Sequence, residues 1–171
     1  MFAFIRNLVG VKTDQAVQSA VEALVRWDPK SATEAELRTM EEHLDRLGLQ
    51  VAEARAAYEK ERKEADAIRA LSRQRMAAAE HLQRQLEGEQ DQGKRAQIEK
   101  SLETLVAMLE QMAPDIDREE QDERDAQEFM ETLQATYQEA GQKLKSARSE
   151  LSRAERDLGR AAQQREAAER R

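Results

Sequence analysis

An apolar heptad repeat that keeps one phase over most of the chain constrains the fold more than any other feature. Steps of three and four alternate, and this 3.5-residue period places the apolar side chains on one seam of a helix. The first half of the seam contains Leu37, Met40, Leu44, Leu47, Val51, Ala54, Tyr58, Ala65, Ile68, Ala79, Leu82 and Leu86. The second half contains Ile98, Leu102, Leu105, Leu109, Met112, Ile116, Ala126, Met130, Leu133, Tyr137, Ala140, Leu144, Ala147, Leu151, Ala154, Leu158 and Ala161. A chain that uses its apolar residues in this way has no globular core in which to build a catalytic pocket.

The repeat predicts an all-α fold, in which a short N-terminal amphipathic helix precedes a long antiparallel coiled-coil hairpin with an extended second arm. Charged residues make up 37% of the chain and aromatic residues only 4%, a composition typical of long helices. We expect the N-terminal helix within residues 1–27 and the elongated hairpin within residues 30–171. The second arm is longer than the first, so its distal part has no partner within the chain.

The hairpin tip is predicted at residues 88–93, where two glycines enclose four polar residues between the in-phase repeats. Gly88, Asp91 and Gly93 are the expected turn residues. The first arm then covers residues 34–87 and the second covers residues 94–171.

Two further features divide or distort the helices. Asp28 and Pro29 separate the N-terminal segment from the first arm, because proline disfavours an α conformation in the residue before it. Ser31 or Thr33 is the expected N-cap of the next helix. Pro114 lies inside the second arm, where the unbroken repeat predicts a kinked but continuous helix.

The segment that follows Pro114 has acidic residues in the seam itself. Glu119 and Glu123 occupy seam positions, and residues 117–125 contain six acids and two arginines. We predict a flexible or partner-facing segment there.

Charge is unevenly distributed along the chain. The net charge of −7 argues against a general nucleic-acid binder. Residues 87–128 contain fourteen acidic and five basic side chains, whereas residues 142–171 contain nine basic and five acidic ones. Either these are solvated helix faces, or the acidic stretch of one subunit meets the basic stretch of another.

The N-terminal residues are the best functional candidates. Phe2, Ile5 and Val9 lie on one face of a helix, and Arg6 and Lys12 add modest positive charge. A second apolar stripe contains Val17, Val21 and Leu24. Such a segment can lie in a membrane interface with its apolar side buried, or it can pack against another helix.

Residues with catalytic or metal-binding chemistry are scarce. The chain has no cysteine, so disulfides and cysteine-ligated metals are excluded. His43 and His81 are too far apart on one helix to share a metal, and we expect both on the surface. Neither Gly88 nor Gly93 belongs to a phosphate-binding motif. We therefore expect no enzyme activity, no cofactor and no metal site.

The order of these parts resembles the phage-shock protein A family, the bacterial branch of the ESCRT-III superfamily, which includes the plastid vesicle-inducing protein. Three short motifs carry the resemblance: Phe4-Ile5-Arg6, Trp27-Asp28-Pro29-Lys30 and Glu87-Gly88-Glu89-Gln90-Asp91. The resemblance covers nearly the whole chain in architecture, and its motifs are short.

The resemblance implies a non-enzymatic stress-response protein that polymerises with itself into rods, spirals or rings and remodels or protects membranes. It implies a cytoplasmic location, peripheral on the inner face of the cytoplasmic membrane, and binding to anionic lipids but not nucleic acid, with the regulatory protein partner unknown. The implied membrane-binding residues are Phe2, Phe4, Ile5, Leu8 and Val9, with Arg6 and Lys12 at headgroup level. Asp28 and Pro29 would form a hinge.

Two other functions are compatible with the residues. The chain could be a cytosolic coiled-coil adaptor or scaffold whose N-terminal helix docks on a protein partner. It could also be a stalk or chaperone-like hairpin that transmits force.

Overall fold

A computed structural model describes residues 15–171. These residues form three α-helices and no strand: α1 (Gln15–Arg26), α2 (Glu34–Gly88) and α3 (Gln92–Glu169), with a short 3-10 turn at Pro29–Ser31. The two long helices, of 55 and 78 residues, pack against each other. The all-α hairpin prediction is therefore confirmed.

Local capping explains where α2 begins. The Oγ1 atom of Thr33 accepts a hydrogen bond from the backbone N–H of Glu36 at 3.2 Å. In return, the carboxylate of Glu36 accepts a hydrogen bond from the N–H of Thr33 at 3.2 Å. This reciprocal capping box satisfies two donors that the helix cannot pair internally. Of the two predicted N-cap residues, Thr33 is therefore the one that caps the helix.

The described residues of Met1–Ala54 and the segment Phe129–Arg171 form one compact unit, which we call the three-helix unit. Its core is built from all three helices, and the largest fully buried side chains are those of Leu24, Leu37, Leu47 and Leu133. At Gly48, an added Cβ would lie 3.1 Å from Cε2 of Tyr137. The missing side chain therefore lets the tyrosine ring approach α2 closely.

The remaining residues, Arg55–Glu128, form a second compact unit, which we call the two-helix unit. Of its apolar side chains only Ala65 and Met112 are buried. The other seam residues, such as Leu82, Leu105 and Leu109, are half-buried. Two helices without a third cannot enclose the seam between them.

The predicted continuity of the second arm through Pro114 matches the structure, because Pro114 lies inside α3. Its side chain is exposed. The proline ring is therefore exposed to solvent and does not pack on the facing helix. The backbone still loses one helical hydrogen bond there.

Candidate functional site

The predicted membrane-binding residues precede the described part of the chain. Phe2, Phe4, Ile5, Arg6, Leu8, Val9 and Lys12 all fall within residues 1–14. Their role in lipid binding therefore stays a prediction.

The described part of the N-terminal segment packs on protein. Val21 and Leu24 of α1 are 3% and 2% exposed and belong to the core of the three-helix unit. Leu37 of α2 and Leu133 of α3 lie in the same core. Of the two alternatives that the sequence left open, helix packing therefore applies to Val21 and Leu24 of the second apolar stripe.

A lysine of α3 fixes the end of α1. Nζ of Lys143 donates a hydrogen bond to the carbonyl oxygen of Leu24 at 3.1 Å. The same Nζ lies 5.7 Å from the centroid of the Trp27 ring. A cation at a helix C-terminus is favoured by the helix dipole, and a cation over an indole ring is favoured by the ring's quadrupole. No local sequence signal could have revealed this contact, because it joins residues 119 positions apart.

The predicted hinge residues form an ordered turn. Asp28 caps the 3-10 turn by accepting a hydrogen bond from the N–H of Lys30 at 3.2 Å, and Pro29 occupies the first position of that turn. Proline suits this position because its missing N–H would have no partner there. The break between α1 and α2 is therefore explained, while bending at Asp28 and Pro29 stays a prediction.

The hairpin tip is shorter than predicted. Gly88 is the last residue of α2 and Gly93 is the second residue of α3, so only residues 89–91 connect the helices. No glycine of the described residues has a positive φ angle. Gly88 and Gly93 therefore lie at the ends of the two helices, and neither has a left-handed backbone conformation.

Polar side chains organise the tip instead. The carboxylate of Asp91, the third predicted tip residue, accepts a hydrogen bond from the N–H of Gly93 at 3.2 Å. Arg95 donates to the carbonyl oxygens of Leu86 and Glu89, both at 2.8 Å. One guanidinium of α3 therefore binds the end of α2 and the first residue of the connection, and this role of Arg95 was not foreseen.

Three carboxylates lie close together in the two-helix unit. Each of Glu61, Glu119 and Asp122 offers an oxygen atom within 4.8 Å of the others. Burial, followed by the nearby charges of Glu64, Asp122 and Glu119, raises the pKa of Glu61 above its ordinary value. Among the described residues these are the ones whose oxygens could share a cation. The raised pKa indicates that a proton can also relieve their repulsion.

An arginine forms ion pairs with acids next to this carboxylate cluster. Arg69 of α2 forms ion pairs with Glu120 at 3.6 Å, Glu123 at 3.2 Å and Asp66 at 2.6 Å. The acidic stretch of the seam is thus continuous helix with an ionic contact across the hairpin. The prediction of a flexible segment around Glu119 and Glu123 did not anticipate this arrangement.

His43 differs from the expectation that both histidines are on the surface. His81 is exposed, but His43 is half-buried. The Nδ1 atom of His43 is buried without a hydrogen-bond partner among the described residues. The shared core of the three-helix unit explains this difference, because it covers more of α2 than the facing helix alone would cover.

The distal end of α3 is exposed. From residue 152 onwards every side chain except that of Ala161 is exposed, and Leu158 reaches 71%. This agrees with the prediction that the longer arm extends beyond its partner helix. The seam pattern continues here without a facing helix in the described part of the chain.

The chain matches no protein-family model, no curated protein and no solved structure. Within residues 15–171, no helix has an apolar stretch long enough to cross a lipid bilayer.

Proposed function

We propose that this protein assembles with itself on membranes and remodels or protects them, as the phage-shock protein A branch of the ESCRT-III superfamily does. Subunits would form rods, spirals or rings on the inner face of the cytoplasmic membrane. The observation that carries this proposal is the incomplete burial of the heptad seam, which leaves apolar surface available to neighbouring subunits.

Two regions of the described chain have this open seam. In the two-helix unit the seam leucines are only half-buried. At the end of α3, Leu158 occupies a seam position with 71% exposure. Burying apolar surface contributes roughly 25 cal/mol per Å². Lateral contact between copies would therefore be favoured.

Lipid attachment would fall to the residues that precede α1. Val21 and Leu24 on the apolar side of α1 are not available to lipid, because they pack in the core of the three-helix unit. The net charge of −7 disfavours approach to anionic lipid, so insertion of Phe2, Phe4 and Ile5 would supply most of the binding energy. One short segment binds weakly, and a polymer that presents many such segments gains avidity.

The test compares lipid binding by the wild type and by the triple variant Phe2→Ser, Phe4→Ser, Ile5→Ser. We expect the wild type to sediment with anionic liposomes and to form coats or tubes in electron micrographs, and the variant to lose both. Val25→Ser is a matched control, because Val25 is an exposed apolar residue of α1. Circular dichroism should show equal helicity in all three proteins. Binding of the triple variant at wild-type level would contradict the proposal.

A second candidate function is a coiled-coil adaptor whose N-terminal segment docks on a protein. The packing of α1 on the hairpin favours it, because this shows that the apolar side of an N-terminal helix in this chain can bind a protein surface. This candidate predicts a monodisperse wild type that ignores liposomes, and a triple variant that loses partner capture or solubility only.

A further inference from the structure

An unpaired row of arginines lies on the exposed end of α3. Arg153, Arg156 and Arg160 follow one another in steps of three and four, so they lie on one face of the helix. All three are exposed, and none forms an ion pair with another described residue. Asp157 lies beside this arginine row without pairing with it. The three arginines outnumber the one acid beside them, so the row has a net positive charge.

An unpaired row of acids lies on α3 within the two-helix unit. Glu103, Glu110 and Asp117 recur at intervals of seven residues and are all exposed. Among the described residues none of the three has an ion-pair partner. Arg118, the next residue after Asp117 in the sequence, is paired with Asp115 at 3.4 Å and lies 3.9 Å from Glu119. No described ion pair therefore occupies the carboxylates of this acidic row.

We propose that the arginine row of one copy of this chain docks on the acidic row of a second copy. Arg153 and Arg160 are seven residues apart, as are neighbouring members of the acidic row, and seven residues advance a helix by about 10.5 Å. Two guanidinium groups can therefore meet two carboxylates at once, in the planar geometry that arginine and carboxylate favour.

A second copy fits the arginine row better than a polyanion does. The net charge of −7 opposes the approach of nucleic acid, of anionic lipid and of a second copy alike, so net charge does not select among them. The acidic row, by contrast, supplies matching charge at matching spacing within the same chain. Each copy has one row of each kind and can therefore bind two neighbours, which allows a chain of subunits to grow. The inference rests on the self-assembly part of the proposed function and names the surfaces involved.

The test is a charge-reversal exchange, measured by sedimentation velocity at low salt without lipid. One variant combines Arg153→Glu, Arg156→Glu and Arg160→Glu. The second combines Glu103→Lys, Glu110→Lys and Asp117→Lys. A control with the same net-charge change as the first variant combines Arg62→Glu, Arg73→Glu and Arg84→Glu, three exposed arginines of α2 without ion pairs among the described residues. Circular dichroism verifies that each variant is folded.

We expect the wild type to self-associate, and each row variant to associate about tenfold more weakly, because exposed ion pairs are individually weak. The control should behave like the wild type apart from a small general effect of charge. An equimolar mixture of the two row variants should regain association, since each supplies the row that the other needs. About 0.5 M salt should weaken association of the wild type, because that salt screens exposed charges.

Four results would overturn the inference. A wild type that stays monomeric would reject it together with the self-assembly proposal. Association that is unchanged in both row variants would reject only the inference and leave self-assembly in place, as would a mixture that does not regain association. Loss of binding to anionic vesicles in the arginine variant, with self-association intact, would assign the arginine row to lipid phosphates instead.

Discussion

The three-helix and two-helix units are built from the same two long helices and the same heptad repeat, but they bury that repeat to different extents. Leu133 and Leu105 occupy equivalent heptad positions of α3. Leu133, in the three-helix unit, is 2% exposed, whereas Leu105, in the two-helix unit, is only half-buried. The difference comes from α1, which adds Val21 and Leu24 to the first unit alone. A heptad seam therefore becomes a closed core only where a third helix covers it.

The open seam of the two-helix unit also tolerates charge. Glu61, Glu119 and Glu123 occupy or adjoin seam positions there, and Arg69 reaches across from α2 to pair with Glu123. Partial access to water lowers the cost of placing a charge in the seam. Among the described residues of the three-helix unit, by contrast, the one buried polar or charged residue is Thr136, which donates to the carbonyl oxygen of Thr132 at 3.0 Å.

The largest expected effect comes from truncating the closed core. Leu133→Ala should lower the free energy of unfolding by about 3 kcal/mol, because it removes a fully buried side chain and leaves a cavity. Leu105→Ala should cost about 1 kcal/mol, because its site can be reached by water and relaxes more readily. Urea unfolding of both variants measures the difference. Equal losses would show that the two units do not differ in packing.

The next largest effect on stability comes from the ion pairs of Arg69 with Glu120 and Glu123 in the two-helix unit, which we call the ionic layer. Arg69→Met should destabilise that unit by about 1 kcal/mol, since Glu120 and Glu123 would lose their partner. Native-state hydrogen exchange of residues 55–128 measures this loss, which should shrink at high salt. The control is Arg73→Met, because Arg73 is exposed and has no ion pair among the described residues. A control as unstable as the Arg69 variant would refute the role of the ionic layer.

Two glycines test how tightly the three-helix unit is packed. Gly141→Ala should stabilise the protein by about 0.7 kcal/mol, because alanine favours helix and an added Cβ meets no atom within 4 Å. Gly48→Ala should increase the stability of the protein by less, since its Cβ would lie 3.1 Å from the ring of Tyr137. Thermal unfolding distinguishes them. Equal gains would mean that the tyrosine ring moves aside at no cost.

The smallest effect concerns the carboxylates of the two-helix unit and depends on pH. The folded state raises the pKa of Glu61 above its ordinary value of 4.5, so protonation favours folding. This contribution is fully present below pH 4.5 and is lost as pH rises through the raised pKa. Glu61→Gln should therefore be more stable than wild type at pH 7 by about 0.5 kcal/mol. The difference should shrink toward pH 4, as measured by unfolding at both values. A difference that does not change with pH would contradict this cause.

The sequence predicts the helices well, because their signals are local. The alternating steps of three and four were sufficient to predict where α2 and α3 lie in the chain. They also predicted that α3 continues past Pro114. Thr33 with Glu36 three residues later is a capping signal that depends only on neighbouring residues. The excess length of the second arm also follows directly from where the repeat ends.

Contacts between distant residues could not be predicted in the same way. Lys143 reaches the carbonyl of Leu24 because α1 packs on the hairpin. Arg69 reaches Glu123 because the register of the two arms brings them together. The two glycines indicated where the tip lies, but they could not reveal the hydrogen bonds that Asp91 and Arg95 form there.

The unbroken phase of the repeat limits how this chain can change its length. One inserted residue rotates everything beyond it by about 100° about the helix axis. An insertion in α3 near Leu109, for example, would turn Leu133 away from its partners. A single addition of seven residues keeps the phase but shifts one helix past the other by about 10 Å. Only matched additions or deletions of whole heptads in α2 and α3 preserve every contact, so length variation in homologous chains should occur in paired steps of seven.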